Sequence, residues 1–216
     1  MSGGPDLSER RLYLCTPDRP DLAAFLGDCI AGGVDVVQLR DKELEAKPLL
    51  ARARVAAKVC RDHGVPFVLN DRPDLALEVE ADGVHVGQDD APVSLARRIL
   101  GPDAIVGLST HGPSDLEGAA DQDVSYISAG PVEATPTKPG RAGTGLGYVS
   151  RASARSSVPV FVTGGVTPEK IPALTDGGVR HFVVVRYLTQ APDARSAARA
   201  LRSAIDRALS NGPPPA

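Results

Sequence analysis

The chain has 216 residues, a formal net charge of −3 and 4% aromatic residues, with no tryptophan. Because acidic and basic residues are interspersed and aromatic side chains are few, the composition disfavours nucleic-acid binding. No apolar run is long enough to span a membrane, and the first residues lack the apolar core of a signal peptide. Cys15, Cys29 and Cys60 are widely spaced in apolar surroundings, which predicts buried thiols and a reducing, cytoplasmic location.

Strand and helix patterns alternate along most of the chain. Short apolar runs predict strands at residues 11–15, 34–39, 66–69, 83–86, 105–108, from 126, 160–162 and 182–185. Helical spacing predicts helices at residues 21–32, 44–63, 73–80, from 92, 113–121, 146–155, 167–177 and 193–209. Strand–helix units of about 25 residues, with strands apolar enough to be buried on both faces, predict a parallel sheet with helical crossovers.

Eight such units in one chain favour a single-domain α/β fold, the (β/α)8 TIM barrel. An open doubly wound sheet is the alternative, but the sequence lacks the glycine fingerprint of that fold. The predicted organisation is a polar N-terminal arm at residues 1–10, the barrel at residues 11–209 and a disordered tail at residues 210–216.

A loop dense in proline and glycine follows the start of the sixth predicted strand, within residues 126–147. It contains Thr135, Pro136, Thr137 and Lys138. Hydroxyl groups, one ammonium group and flexible glycines suit a loop that closes on an anion. An ordinary surface loop has a similar composition, so this stretch alone leaves both interpretations open.

In a (β/α)8 barrel the carboxyl ends of all strands surround one mouth, where catalytic groups lie. The residues at the predicted strand ends are Gln38, Arg40, Lys42, Asn70, Asp71, Asp89, Asp90, Ser109, His111, Thr135, Thr137, Lys138, Gly164, Gly165, Val185 and Arg186. Turns are polar in general, but the run at residues 38–42 leaves a buried strand with more polar groups than a turn needs. This pattern favours a ligand-binding site at the mouth.

Charged residues at this mouth describe the expected ligand. Arg40, Lys42 and Lys138 bring three cations together, while Asp71 and Asp90 bring two carboxylates. A polyanion on the cations, bridged by Mg²⁺ to the aspartates, satisfies both sets, because magnesium takes one or two carboxylates together with phosphate oxygens. Surface ion pairs are the alternative explanation. The glycines after the seventh predicted strand match a barrel phosphate site, so two anion sites are expected.

Five segments together resemble the thiamine-phosphate synthase family: VVQLRDK, LNDRPDLALEVEADGVHVGQDD, GLSTH, YISAGPVEATPTKPG and VTGGVTPEKI. The resemblance extends over nearly the whole chain, from residue 11 to residue 209. It implies a transferase that joins 4-amino-5-hydroxymethyl-2-methylpyrimidine diphosphate to a thiazole phosphate, giving thiamine phosphate and pyrophosphate, with Mg²⁺ as cofactor.

The resemblance also implies roles for individual residues. Contacts with the pyrimidine diphosphate are expected at Gln38, Arg40, Lys42, Asn70, Ser109 and Lys138, and further substrate contacts at Leu39 and Asp41. Contacts with the thiazole phosphate are expected at Thr135, Pro136, Thr137, Gly165, Val185 and Arg186, and magnesium ligands at Asp71 and Asp90. The expected catalytic residues are Arg40, Lys42, Lys138 and Ser109. Arg186 departs from the pattern, since many family members carry a serine after the eighth strand.

Three other functions compete with this interpretation. A thiazole tautomerase on the same barrel has no use for a diphosphate site, and a phosphosugar isomerase or epimerase needs only one phosphate site. A non-catalytic sensor of phosphorylated ligands differs from all of these in lacking turnover. Small-molecule substrates are the expected partners, without nucleic acid or membrane, and a homo-oligomer is compatible with the sequence.

Overall fold

The computed structural model describes residues 5–134 and 142–211. Eight parallel strands follow one another around a closed barrel in chain order, and the last strand pairs with the first. The strands are β1 (Leu12–Thr16), β2 (Val36–Leu39), β3 (Phe67–Asn70), β4 (Gly83–Val86), β5 (Ile105–Thr110), β6 (Tyr126–Ala129), β7 (Val160–Val162) and β8 (His181–Val184). The predicted (β/α)8 barrel is confirmed, and the open sheet is wrong because closure leaves no sheet edge.

Helices cover the outside of the barrel. They are α1 (Leu22–Ala31), α2 (Ala46–Asp62), α3 (Pro73–Glu78), α4 (Val93–Leu100), α5 (Pro113–Ala120), α6 (Gly145–Arg155), α7 (Ile171–Asp176), α8 (Arg186–Thr189) and α9 (Ala194–Asn211). In α2, Leu49, Ala53, Ala56 and Cys60 are buried at intervals of three or four residues, which places them on the face against the sheet. Within the described ranges, no helix is both long enough and apolar enough to cross a bilayer.

Two helix predictions differ from the structure. Helix α7 begins at Ile171 rather than at residue 167, because residues 168–170 form a turn. The four-residue helix α8, which was not predicted, follows β8 directly, and Val185 is its N-cap rather than the end of a strand. A helix this short contains about one turn, so helical periodicity cannot reveal it.

Buried apolar residues form two clusters, one between the strands and the helices and one inside the barrel. Leu7, from the predicted polar arm, is only 4% exposed and packs in the interior cluster with Tyr13 and Phe161. Helix α9 includes Asn211, so it extends two residues into the predicted tail. Residues 1–4 and 212–216 lie outside the described ranges.

The three cysteines are buried and form no disulfide, as predicted. Burial raises the pKa of the Cys29 and Cys60 thiols to about 12. Both therefore remain protonated at neutral pH and act as small apolar side chains.

Candidate active site

The carboxyl ends of the strands surround a cavity of about 510 Å³. Its volume falls in the range of small-molecule sites, roughly 300–1,000 Å³. Alternate strand residues face the barrel interior, and the residues after each strand reach the mouth. The predicted site residues that line it are Gln38, Arg40, Lys42, Asn70, Asp71, Asp90, Ser109, Gly165, Val185 and Arg186.

Two predicted contact residues are not among the cavity-lining residues in the described part of the chain. The side chain of Leu39 is fully buried in the layer between strands and helices. The carboxylate of Asp41 accepts hydrogen bonds from the amides of Glu43 and Leu44 at 3.0 and 3.1 Å, and from the amide of Asp18 at 3.1 Å. Asp41 therefore shapes the loop after β2 and holds it against the loop after β1.

The loop after β6 carries the predicted anion-binding residues Thr135, Pro136, Thr137 and Lys138, which lie outside the described residues. Its two flanks are joined by backbone hydrogen bonds, from Thr144 to the Pro131 carbonyl at 2.7 Å and from Gly145 to the Val132 carbonyl at 3.0 Å. The amide of Val132 also donates to the carbonyl of Thr163 at 2.8 Å. Both flanks of the loop therefore meet at the barrel mouth, beside the end of β7.

Asp71, Asp90 and Lys42 form a charged cluster at the mouth. Nζ of Lys42 is 2.8 Å from Oδ2 of Asp71 and 3.8 Å from Oδ1 of Asp90, and the two carboxyl groups are close enough for each to shift the pKa of the other. Burial raises the pKa of Asp71, with a further increase from Asp90 and an opposing decrease from Lys42. Burial also acts to raise the pKa of Asp90, but the interaction with Asp71 and the hydrogen bond from the Gly87 amide lower it overall. Two carboxyl groups this close favour a shared proton or a bound cation.

Backbone geometry fixes both aspartates. Asp71 has a φ of 60°, in the left-handed region that aspartate tolerates better than most residues, and its amide donates to the His85 carbonyl at 2.8 Å. Oδ2 of Asp90 accepts the amide of Gly87 at 2.9 Å. A Cβ atom at Gly87 would lie 2.7 Å from that oxygen, so the glycine gives the Asp90 carboxylate room to bind there.

The donor set of this cluster fits a hard divalent cation such as Mg²⁺. Magnesium is usually held by one or two carboxylates, with waters and substrate phosphate oxygens completing its shell. The described residues contain no group of three or more His, Cys, Asp or Glu side chains that could hold a metal alone. Asp71 and Asp90 could therefore supply only part of the coordination, and a ligand would have to supply oxygens.

Arg40 and Arg186 bring two guanidinium groups to the same cavity. Neither side chain forms an ion pair or hydrogen bond with another described residue. The same holds for the side-chain amide of Asn70, a residue that is only 7% exposed. Cations and a buried side-chain amide that face a cavity without partners among the described residues indicate a polar, anionic ligand.

The turn after β7 has the backbone geometry of an anion site. Gly164 and Gly165 have φ values of 97° and 78°, a region that side-chain-bearing residues rarely adopt. A Cβ atom at Gly164 would lie 2.6 Å from Cα of Pro131, so the loop after β6 packs directly on this turn. Both glycines line the cavity, which places backbone groups where the second anion was expected.

Polar residues inside the barrel were not identified as site residues from the sequence. Tyr13 of β1, His85 of β4 and Tyr126 of β6 are buried and line the cavity. The one sequence feature that could have indicated polar residues inside the barrel was His85, a histidine within the short apolar strand β4. His111, to which the sequence assigned no role, has Nδ1 2.5 Å from the Gly130 carbonyl oxygen, so it supports the loop after β6.

Comparisons with known proteins agree on one family. A family model described as thiamine monophosphate synthase matches residues 12–188. The thiamine-phosphate synthase of Mycobacterium sp. (strain KMS) is 43% identical over 215 residues, covering 94% of this chain and 95% of that protein. The thiamine-phosphate synthase of Thermobifida fusca (strain YX) is 46% identical over 202 residues, covering 91% and 92%.

Solved structures show the same relationship. The thiamine phosphate pyrophosphorylase from Pyrococcus furiosus has a TM-score of 0.84 at 26% identity, covering 92% of this chain and 96% of that chain. A 3-hexulose-6-phosphate synthase has a TM-score of 0.64 at 23% identity, covering 90% and 99%, and so shares the fold alone.

Proposed function

Because the chain belongs to the thiamine monophosphate synthase family and is thus a transferase, we propose that its cavity joins 4-amino-5-hydroxymethyl-2-methylpyrimidine diphosphate to a thiazole phosphate. The products are thiamine phosphate and pyrophosphate. The observation that carries this proposal is the contact of Lys42 with the adjacent carboxyl groups of Asp71 and Asp90. A diphosphate with a divalent cation is the ligand that gives partners to all three groups.

The charged cluster and Arg40 would bind the diphosphate. Asp71 and Asp90 would hold Mg²⁺, which when bound supplies positive charge to the diphosphate oxygens. Lys42 and Arg40 add fixed positive charge at the same mouth, and Lys138 is predicted to add a third cation. Neutralising charge on the departing pyrophosphate lowers the barrier to its release, because negative charge on that group increases in the transition state.

The reaction itself needs no protein base. The electron-rich aminopyrimidine stabilises a cation at its methylene carbon, so the bond to the diphosphate can break with its electron pair leaving on pyrophosphate. The neutral thiazole nitrogen then attacks that carbon with its own lone pair. The protein must therefore align the two rings and exclude water, which would otherwise trap the cation. Gln38, Asn70 and Ser109 are 5%, 7% and 5% exposed and would orient the pyrimidine.

The thiazole phosphate would bind at the turn after β7 and the start of α8. Gly165, Val185 and Arg186 line this side of the cavity, and Thr135, Pro136 and Thr137 are predicted to complete it. Arg186 stands where the family resemblance leads us to expect a serine. Its guanidinium has no partner among the described residues and would bind the phosphate directly.

The charged cluster also separates this proposal from the alternatives. A thiazole tautomerase or a phosphosugar isomerase binds one phosphate and leaves the pair of carboxyl groups beside Lys42 without a function. A sensor would retain the cavity but release no product. Turnover with both substrates therefore distinguishes the synthase from all three.

The test is turnover of purified protein with both substrates, with and without Mg²⁺, following pyrophosphate and thiamine phosphate together. Equal release of both products, abolished by EDTA, supports the proposal. Asp90→Asn should remove activity, whereas Asp121→Asn, the same change at an exposed residue that caps α5 away from the cavity, should retain it. Pyrophosphate without thiamine phosphate would indicate failure of the thiazole half, and the absence of both products would refute the synthase.

A further inference from the structure

A row of hydrogen-bonded side chains crosses the barrel interior beneath the cavity. Its members are Gln38, Tyr13, Tyr126, His85 and Ser109. They come from five different strands, and each is at most 8% exposed. Gln38 and Ser109, at the two ends, are proposed to touch the substrate. Nothing in the proposed reaction uses the three residues between them.

The distances along the row are all those of ordinary hydrogen bonds. Nε2 of Gln38 lies 2.9 Å from the Tyr13 hydroxyl, which lies 2.8 Å from the Tyr126 hydroxyl. The Tyr126 hydroxyl lies 2.9 Å from Nδ1 of His85, and Nε2 of His85 lies 2.9 Å from Oγ of Ser109.

The direction of these bonds follows from the number of hydrogens. Nε2 of Gln38 can only donate, so the Tyr13 hydroxyl accepts there. The hydroxyl hydrogen of Tyr13 is then donated to the hydroxyl oxygen of Tyr126, its acceptor among the described residues. If the Tyr126 hydroxyl donated to Tyr13 instead, the hydroxyl hydrogen of Tyr13 would have no acceptor among the described residues. Tyr13 is only 1% exposed, and buried hydroxyl groups rarely lack an acceptor.

The same count continues to the end of the row. Tyr126 accepts from Tyr13 and has one hydrogen left, which it donates to Nδ1 of His85. His85 is then neutral with its hydrogen on Nε2, and it donates to Oγ of Ser109. Burial raises the pKa of both tyrosines, so each keeps the hydrogen that this direction requires.

We propose that this row fixes the Ser109 hydroxyl as a hydrogen-bond donor into the cavity, with His85, Tyr126 and Tyr13 as positioning residues. Because Oγ of Ser109 already accepts from His85, its own hydrogen is directed to the ligand. The ligand atom opposite Ser109 is therefore an acceptor on the pyrimidine diphosphate. The identity of the ligand rests on the proposed function, whereas the direction of the row does not.

Packing around the row holds its rings in place. The His85 ring stacks on Tyr126 with ring centres 5.5 Å apart, and Phe161 packs edge-on against Tyr13 and Tyr126 at 5.3 Å. On β5, a Cβ atom at Gly107 would lie 2.4 Å from the Tyr126 hydroxyl. The glycine therefore leaves the space that this hydroxyl occupies.

The first test reads the histidine directly. In protein labelled with ¹⁵N-histidine, NMR at neutral pH shows which ring nitrogen of His85 carries hydrogen, and His85→Gln identifies its signals by their loss. We expect hydrogen on Nε2 and none on Nδ1. Hydrogen on Nδ1, or on both nitrogens, would overturn the proposal. This experiment needs no substrate, so it stands even if the wild-type protein makes no thiamine phosphate.

The second test measures coupling to Ser109. Tyr126→Phe removes one hydroxyl and keeps the ring, and it should lower kcat about tenfold with little change in KM, the effect of one hydrogen bond. Adding Ser109→Ala to Tyr126→Phe should cost much less than Ser109→Ala costs in the wild type. Phe67→Leu is the control, because it shortens a buried aromatic side chain in the other core cluster, away from the row, and should leave the Ser109→Ala effect and the His85 signals unchanged. Additive effects of Tyr126→Phe and Ser109→Ala would overturn the proposal.

Discussion

Replacing Gly87 by alanine should weaken the proposed magnesium binding while leaving the fold intact. The backbone of Gly87 lies outside the left-handed region, so alanine is allowed there. The Cβ atom of the alanine would lie 2.7 Å from Oδ2 of Asp90. This oxygen must then move away and lose the 2.9 Å hydrogen bond that it accepts from the amide of residue 87. The displaced atoms are the end of a side chain 27% exposed, so the carboxylate can rotate outward at little cost in folding stability.

The size of the effect follows from the hydrogen bond that is lost. A hydrogen bond to a charged group contributes about 1.5–3 kcal/mol, and the lower value applies because Asp90 is partly exposed. The Mg²⁺ concentration for half-maximal activity should therefore rise about tenfold. We would titrate Mg²⁺ at saturating substrates and measure urea unfolding in parallel.

Gly118→Ala is the matched control, because a Cβ atom there meets nothing within 4 Å on the exposed side of α5. It should leave the magnesium dependence unchanged. Equal magnesium dependence in the Gly87 and Gly118 variants would show that Asp90 is not positioned by Gly87 for metal binding.

Three further changes test other parts of the structure. Asp71→Asn should lower kcat by about a hundredfold or more, because the proposed Mg²⁺ would lose a ligand and would neutralise less charge on the departing diphosphate; product formation in quenched reactions would measure this. Gly107→Ala should destabilise the protein by about 3 kcal/mol or more in urea unfolding, since its Cβ atom would lie 2.2 Å from Cζ of the buried Tyr126 ring; wild-type stability would contradict the packing. Burial lowers the pKa of His181 from 6.5 to about 4, so the folded state keeps it neutral where the unfolded chain takes up a proton. Its contribution to stability is therefore present above pH 6.5 and lost towards pH 4, and His181→Gln should flatten that part of the stability–pH profile.

The residues at the barrel mouth could be predicted because closure gathers all strand ends in one place. Once eight strand–helix units were recognised, Lys42, Asp71 and Asp90 had to approach one another, although they are far apart in sequence. Direct contact of Lys42 with both aspartates was not predictable, since it depends on the left-handed backbone of Asp71 and on the room beside Gly87.

Side-chain direction could not be predicted for strands buried on both faces. Leu39 and Gln38 are adjacent in β2, yet Leu39 packs against the helices while Gln38 faces the interior. In an amphipathic strand the alternation of polar and apolar residues would reveal which face is inside, but in these strands both faces are apolar. The same ambiguity concealed Tyr13 and Tyr126, which look like ordinary core residues in sequence.

Gly107 shows why the interior row depends on tertiary contacts. In sequence, a glycine within a strand indicates only a weak point or a close approach by an unidentified group. The register between β5 and β6 pairs Gly107 with Tyr126, and the absent side chain at Gly107 is what admits the tyrosine ring. With the ring admitted, its hydroxyl reaches both Tyr13 and His85. The glycine thereby determines the orientation of Ser109 without touching it, and no short segment of the chain contains that information.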